Sequence, residues 1–336
     1  MQKRHFVIVA AIFAAAILIV SIVTVTMNNV NGQNETEVYI QDSGREKSST
    51  DPYCLLVIGK DRAAGLTDVI MLACFDPAAE RICVLQIPRD TYALYGDGRY
   101  RKINGAQKEL GEDGLRVLLE NALGIEIDGY LSLDLDAFGK SVDALGGVEI
   151  ELDAPLRYSD PSQDLHIDLD SGRQTLDGKQ AEMLVRYRSG YLRGDLDRLD
   201  VQKKFLAALF DTLRAKVSVA NAYELAGALL GEVSTDVNLA LCTALALEAL
   251  KLDKSRLLFC TLPGEDIVSR KSGASFYVMA KSPTQRLLAE YFCAEGELDE
   301  EKIFLNSSDR EFLEIYQKDF GIGVICADEL EKTKKD

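Results

Sequence analysis

Residues 53–91, YCLLVIGKDRAAGLTDVIMLACFDPAAERICVLQIPRDT, hold three short apolar runs separated by charged and turn-forming residues. The runs are 53–58 (YCLLVI), 69–75 (VIMLACF) and 81–87 (RICVLQI), and Gly, Pro or Asp bounds each of them. Unbroken apolar runs of this length suit strands buried on both faces, because a half-wet strand would alternate. A sheet of such strands needs helices above and below it.

The chain downstream supplies them. Residues 113–122 (DGLRVLLENA) place Leu115, Leu118, Leu119 and Ala122 on one side of a helix. Strand-like 129–135, helix-like 136–145 and strand-like 148–152 follow, the last two joined by Gly146-Gly147. Helices are expected over 178–188, 197–216, 219–232, 237–251 and 283–293, and a strand over 256–260. The alternation predicts an α/β domain with helices on both faces of a sheet. No Pro/Gly-rich linker divides 53–293, which reads as one domain; the charged tail 294–336 points to no function.

Upstream, Phe6–Met27 is a run of 22 residues without a charge, long enough to span a bilayer. Its length favours an uncleaved transmembrane helix over a signal peptide. Lys3 and Arg4 precede it and no Lys or Arg follows until Arg45, so residues 1–5 are expected in the cytoplasm and the remainder outside the cell membrane. Residues 28–52 are polar and read as an extracellular stalk.

The 336 residues carry a formal net charge of −16. That balance argues against nucleic acid as a partner, since phosphate neutralisation needs a basic surface. The seven cysteines include no CxxC pair, and Cys54, Cys74 and Cys83 fall inside apolar runs. They read as buried strand residues in preference to a disulfide framework or a zinc site. With His5 and His166 as the whole histidine complement, the sequence argues against a Ser-His-Asp triad or a multi-histidine metal site.

Charged residues close the apolar runs. Gly59-Lys60-Asp61-Arg62 follows the first, Thr67-Asp68 opens the second, and Pro88-Arg89-Asp90-Thr91 follows the third. Further on stand Arg101-Lys102-Ile103-Asn104, Arg186-Tyr187-Arg188, Asp195-Leu196-Asp197-Arg198 and Gln202. Carboxylates without histidine or thiolate partners suit a hard cation such as Mg²⁺. Several guanidiniums suit a phosphate or pyrophosphate. Arg186 and Arg188 share a face if their stretch is extended and diverge if it is helical. Arg198 and Gln202 share a helix face. Any one of these residues alone reads as a surface ion pair before it reads as a ligand; their joint placement at strand ends of an α/β sheet is the functional signal.

The ordered stretches LLVIGKDR, LTDVIML, VLQIPRDTY, RKINGA, VDALGGVEI, LDGKQAEMLVRYR and DLDRLDVQKKFL resemble the LytR–CpsA–Psr family of membrane-anchored cell-wall enzymes. The similarity runs in order over about 53–293 and implies a three-layer α/β/α ectodomain behind one transmembrane helix. It further implies a hydrophobic tunnel for a polyprenyl chain, and transfer of a glycopolymer from a polyprenyl-pyrophosphate carrier to peptidoglycan, at the MurNAc C6 hydroxyl. By motif, Asp61 and Asp68 resemble the residues that hold Mg²⁺ (or Mn²⁺). Arg62, Arg89, Lys102, Arg186, Arg188 and Arg198 resemble the phosphate-contacting bases, and Asp195 and Gln202 occupy the positions of the acidic and amide pocket residues. Four positions depart from the pattern: Leu66 and Val201 stand where arginine is common, Gln86 where serine is common, and Gly105 where histidine is common.

The implied chemistry is attack of the acceptor hydroxyl on the sugar-linked phosphorus, with polyprenyl phosphate leaving and Asp68 or Asp195 accepting the proton. Leu118 and Leu119 on one helix, and Phe205, Leu206, Leu209 and Phe210 on another, are candidates for a lipid slot, although each taken singly reads first as ordinary core. Two other functions fit the same pocket: a polyprenyl-pyrophosphate hydrolase, with water as acceptor, and a non-catalytic sensor of lipid-linked wall precursors.

Overall fold

A computed structural model of the chain describes residues 40–42, 45–47, 51–61, 66–160, 165–187, 195–216, 233–237, 251–294, 298 and 310–330. The expected membrane span 6–27 lies outside them, as do most of the expected helices 219–232 and 237–251. Among the described residues no helix is long and apolar enough to cross a membrane. Inside the segment read as a stalk, Ile40–Asp42 (β1) and Arg45–Lys47 (β2) pair as a short antiparallel hairpin.

The three apolar runs form the centre of the molecule as β3 (Tyr53–Asp61), β4 (Leu66–Asp76) and β5 (Arg81–Ile87), joined antiparallel in succession. A small hairpin, β6 (Tyr92–Leu94) and β7 (Tyr100–Lys102), leads into α1 (Ala106–Leu123). Then come β8 (Gly129–Asp134) and α2 (Leu135–Ala144), whose first turn is capped by the Asp134 carboxylate accepting from the Ala137 N–H.

Two hairpin-like pairs follow, built from β9 (Val148–Leu152), β10 (Leu156–Asp160), β11 (Leu165–Leu169) and β12 (Gly172–Leu176). The expected helix 178–188 is α3 (Gly178–Arg186), which starts on a reciprocal Asp177/Gln180 capping box and stops at the extended Tyr187. Next are α4 (Asp195–Lys216) and β13 (Ser234–Thr235). The chain continues with β14 (Leu257–Thr261), the hairpin β15 (Gly264–Val268) and β16 (Ser275–Met279), and α5 (Lys281–Tyr291). The last described elements are α6 (Arg310–Tyr316) and β17 (Val324–Cys326).

The described strands of the central sheet run in the order β13-β8-β3-β4-β5-β14-β17. β8 is parallel to β3 and β14 is parallel to β5, while β4 is antiparallel to both its neighbours. The carboxyl ends of β3, β5, β8 and β14 therefore lie along one edge, together with the start of β4.

Both faces are covered, as the runs required. On one, Leu55, Val57, Met71 and Val84 pack with Phe138 of α2, Leu184 of α3 and Phe205 of α4. On the other, Leu56, Ile58, Ile70 and Leu85 pack with Leu115 and Leu119 of α1, Leu287 of α5 and Phe312 of α6. Each fully buried aliphatic side chain contributes about 1.5–3 kcal/mol.

Three expectations are corrected. The boundary at 293 falls short, because β17 pairs antiparallel with β14 in the central sheet and Phe312, Ile315, Ala327 and Leu330 are buried in the two cores. The cysteines are not all free thiols: Cys54 and Cys74 are cross-strand partners in β3 and β4 and form a disulfide, with Cys83 opposite Cys74 on β5. The lipid-slot candidates do not form a single lining. Leu118 and Leu119 belong to one core, and Phe205, Leu206, Leu209 and Phe210 to the other, with the sheet between them.

Candidate active site

The polar strand endings gather on the sheet edge where β3, β5 and β8 finish. β3 and β4 keep regular register from Tyr53–Phe75 to Gly59–Val69, and then Lys60 pairs with Thr67. Asp68 is the residue left over, the extra position of a β-bulge. Bulges re-aim side chains at sheet edges. The neighbouring β4–β5 register, Ile70 opposite Ile87, extends to set position 68 opposite position 89. There Arg89 Nη1 donates to Asp68 Oδ1 at 2.6 Å, with both side chains buried. A charge pair this short in a dry site is strongly directional.

Lys102 joins the same corner from β7. Its Nζ lies 2.8 Å from Asp90 Oδ2, and it sits over the Phe276 ring. The loop is tied down by backbone bonds from the Asn104 N–H to the Arg89 carbonyl and from the Tyr277 N–H to the Asp90 carbonyl. Asp68 and Arg89 are thus in direct contact, while Lys102 pairs with Asp90, the neighbour of Arg89 in sequence.

Gln202 is fully buried on α4 and accepts from Gln86 Nε2 at 3.3 Å. Asp195 and Arg198 lie in the first turn of α4 and Asp61 ends β3, but their side chains are outside the described residues. Arg62 and Arg188 lie wholly outside them. Arg186 is the last helical residue of α3, so it leaves the helix just where the backbone extends at Tyr187. One turn earlier, burial pushes the Glu182 carboxyl up to about 7, with Arg186 pulling the other way and Asp136 and Asp143 adding to the rise.

Sequence reasoning passed over a second polar group at the sheet edge. Glu112 Oε1 accepts from Lys60 Nζ at 3.3 Å, Gln107 Nε2 at 3.2 Å and Ser132 Oγ at 3.2 Å. Burial raises the Glu112 carboxyl, but its own backbone N–H, Lys60 and Ser132 outweigh that and hold it below the usual range. The residue is aimed inward by a break in α1 at Gly111, whose φ of 77° and ψ of 180° are non-helical. The GEDG stretch was the available signal. Gln86 stood out in the sequence only as a departure from the family pattern; an amide inside the run RICVLQI was the signal for a buried polar contact.

Oxygen donors alone are the kind a hard cation such as Mg²⁺ takes. Asp61 pairs through its backbone with Leu66, two residues from Asp68. Of these two carboxylates only that of Asp68 is described, and it accepts from Arg89. Among the described residues no three acidic, histidine or cysteine side chains converge.

The chain is 31% identical over 199 residues to polyisoprenyl-teichoic acid–peptidoglycan teichoic acid transferase TagV of Bacillus subtilis, covering 56% of this chain and 50% of that one. It is 32% identical to TagU of Halalkalibacterium halodurans, whose printed activity is the same, covering 59% of this chain and 66% of that one. The chain thus spans about half to two thirds of the length of these relatives. A crystal structure of B. subtilis TagV superposes with a TM-score of 0.64 at 25% identity, covering 74% of this chain and 100% of that one. A family model, the LytR_cpsA_psr family, matches residues 18–291. With more than half of its length matched by the family model, the chain belongs to the LytR–CpsA–Psr family.

Proposed function

We propose that the protein is a membrane-anchored phosphotransferase that moves a cell-wall glycopolymer from a polyprenyl-pyrophosphate carrier to peptidoglycan. The observation that carries this reading is the buried Asp68–Arg89 pair at the sheet edge. Family membership and the activities printed for TagV and TagU support it. In this reading residues 6–27 anchor the chain and the α/β domain works outside the cell membrane.

The chemistry needs no protein nucleophile. The acceptor hydroxyl attacks the sugar-linked phosphorus and polyprenyl phosphate departs. Such transfers rest on positioning and charge stabilisation. Arg89, Arg186, Arg188 and Arg198 neutralise phosphoryl oxygens, while Arg62, Lys102 and Gln202 bind the pyrophosphate. Asp61 and Asp68 would hold Mg²⁺, which when bound supplies further charge stabilisation at the phosphates. Asp68 already accepts a charged hydrogen bond from Arg89, which suits it to orienting that guanidinium. Asp195 is then the better proton acceptor for the hydroxyl.

The test uses the full chain in detergent with a lipid-linked glycopolymer and peptidoglycan sacculi. Mg²⁺-dependent, EDTA-sensitive attachment of polymer to the sacculi is expected. Phosphate release that ignores the sacculi would replace transfer with hydrolysis, and donor binding without turnover would replace it with sensing.

A further inference from the structure

Gln86 lies in β5 on the face that meets α4, and it is fully buried. Its amide nitrogen is 3.3 Å from the Leu199 carbonyl oxygen and 3.3 Å from Gln202 Oε1. A backbone carbonyl can only accept, so Leu199 dictates which end of the Gln86 amide is the nitrogen. The second N–H of that nitrogen then requires an acceptor, and Gln202 provides its carbonyl oxygen. The orientation of Gln202 follows: its NH₂ group is turned away from Gln86 as a donor.

That donor is fully buried and has no acceptor among the described residues. The Gln86 carbonyl oxygen, the end left over by the same choice, likewise has no donor among them. Buried polar atoms in this state are costly, so one that persists calls for a partner from elsewhere. The surroundings indicate its chemistry. Gln86 sits three residues before Arg89, which follows the end of β5 by two residues, and Gln202 sits one turn after Arg198 on α4. A donor between a strand followed by one guanidinium and a helix that carries another in its first turn suits an anionic oxygen.

We propose that Gln86 is a positioning residue: relayed from the Leu199 carbonyl, it fixes the polarity of the Gln202 amide so that a donor, not an acceptor, meets a phosphate oxygen of the substrate headgroup. The inference rests on the transferase reading for the identity of that oxygen. The relay itself does not depend on it. A serine at 86 would be too short to reach both partners, so the longer amide gives this chain a contact between β5 and α4 that the shorter residue cannot make.

The experiment compares the full chain in detergent with Gln86→Met, Gln86→Glu, Gln202→Met and Gln86→Met/Gln202→Met. Binding of polyprenyl pyrophosphate and of inorganic pyrophosphate is measured by calorimetry. Hydrogen exchange is followed at backbone amides 199–203. Gln86→Met drops both donors at nearly constant length. Gln86→Glu offers Gln202 an acceptor and so turns its carbonyl outward. Both should weaken pyrophosphate binding, Gln86→Glu by about tenfold or more. The double variant should bind no worse than Gln202→Met alone, because Gln86 acts through Gln202. Exchange at 199–203 should quicken in Gln86→Met. Wild-type binding in Gln86→Met, additive losses in the double variant, or unchanged exchange would each overturn the proposal. If Gln86→Glu fails to fold, the two methionine variants decide. A wild-type chain that binds neither pyrophosphate would overturn the transferase reading, while the exchange data would still judge the relay.

Discussion

Asp68 meets Arg89 at 2.6 Å because β4 carries one residue more than β3 at that point, and the extra residue is the aspartate. Without the bulge, position 68 would continue the regular alternation along β4. With it, the carboxylate is presented to the residue that follows β5 and its proline. The pair is therefore a consequence of strand register before it is a matter of catalysis.

Arg89→Ala should abolish most transfer, by about 100-fold or more if Arg89 stabilises charge at the reacting phosphate. It should also destabilise the fold by about 3–5 kcal/mol, since it strands a buried carboxylate. Asp68→Asn/Arg89→Met should recover much of that stability and none of the activity. Urea unfolding alongside the sacculus assay separates the two effects; full activity in Arg89→Ala would refute the assigned role.

Gly111 takes a backbone conformation that is open almost solely to glycine. Space is not the obstacle there, for an added Cβ would meet nothing within 4 Å. Gly111→Ala should cost about 1–3 kcal/mol through the backbone alone. It should also straighten α1 and draw Glu112 away from Lys60. Circular dichroism and denaturant melts check this, and a neutral or stabilising substitution would contradict it.

The Cys54–Cys74 disulfide spans a sequence separation of 20 residues. Replacing both cysteines by alanine should cost about 3 kcal/mol in the loop-entropy account. Intact-mass measurement after denaturation and alkylation should show two extra modifications once the chain is reduced. Equal masses with and without reduction would rule the bond out.

Glu182 makes stability depend on pH. Its folded carboxyl titrates at about 7, above the ordinary value of 4.5, so the folded state binds more protons between those limits. Stability should therefore fall as pH rises from about 4.5 to 7 and level off above that. Glu182→Gln should flatten this slope and raise stability at pH 8 by about 1 kcal/mol, after discounting for partial exposure. Melting temperatures across this range provide the measurement, and an unchanged slope in the variant would contradict the assignment.

Much of this was legible in the chain. The strand runs 53–58, 69–75 and 81–87 and helical stretches between 113 and 216 stood out because burial leaves a strong apolar signature. Register did not stand out. Nothing in LTDVIML marks Asp68 as a bulge, since the extra residue is defined by pairing with another strand. The Cys54–Cys74 pairing was hidden for the same reason: cross-strand neighbours are not encoded in spacing. β17 escaped notice because VIC is too short to show a period. Gln86 was visible as a polar residue inside an apolar run, but its partners come from α4, more than a hundred residues away.

The strand of residues 324–326 has a further consequence, for what a shortened chain would expose. It is laid against β14 at the margin of the described sheet. A cut that removed it would bare a flank of open peptide groups on β14, the kind of surface that recruits stray strands. Such a product would carry a sticky border even with the rest of the sheet intact.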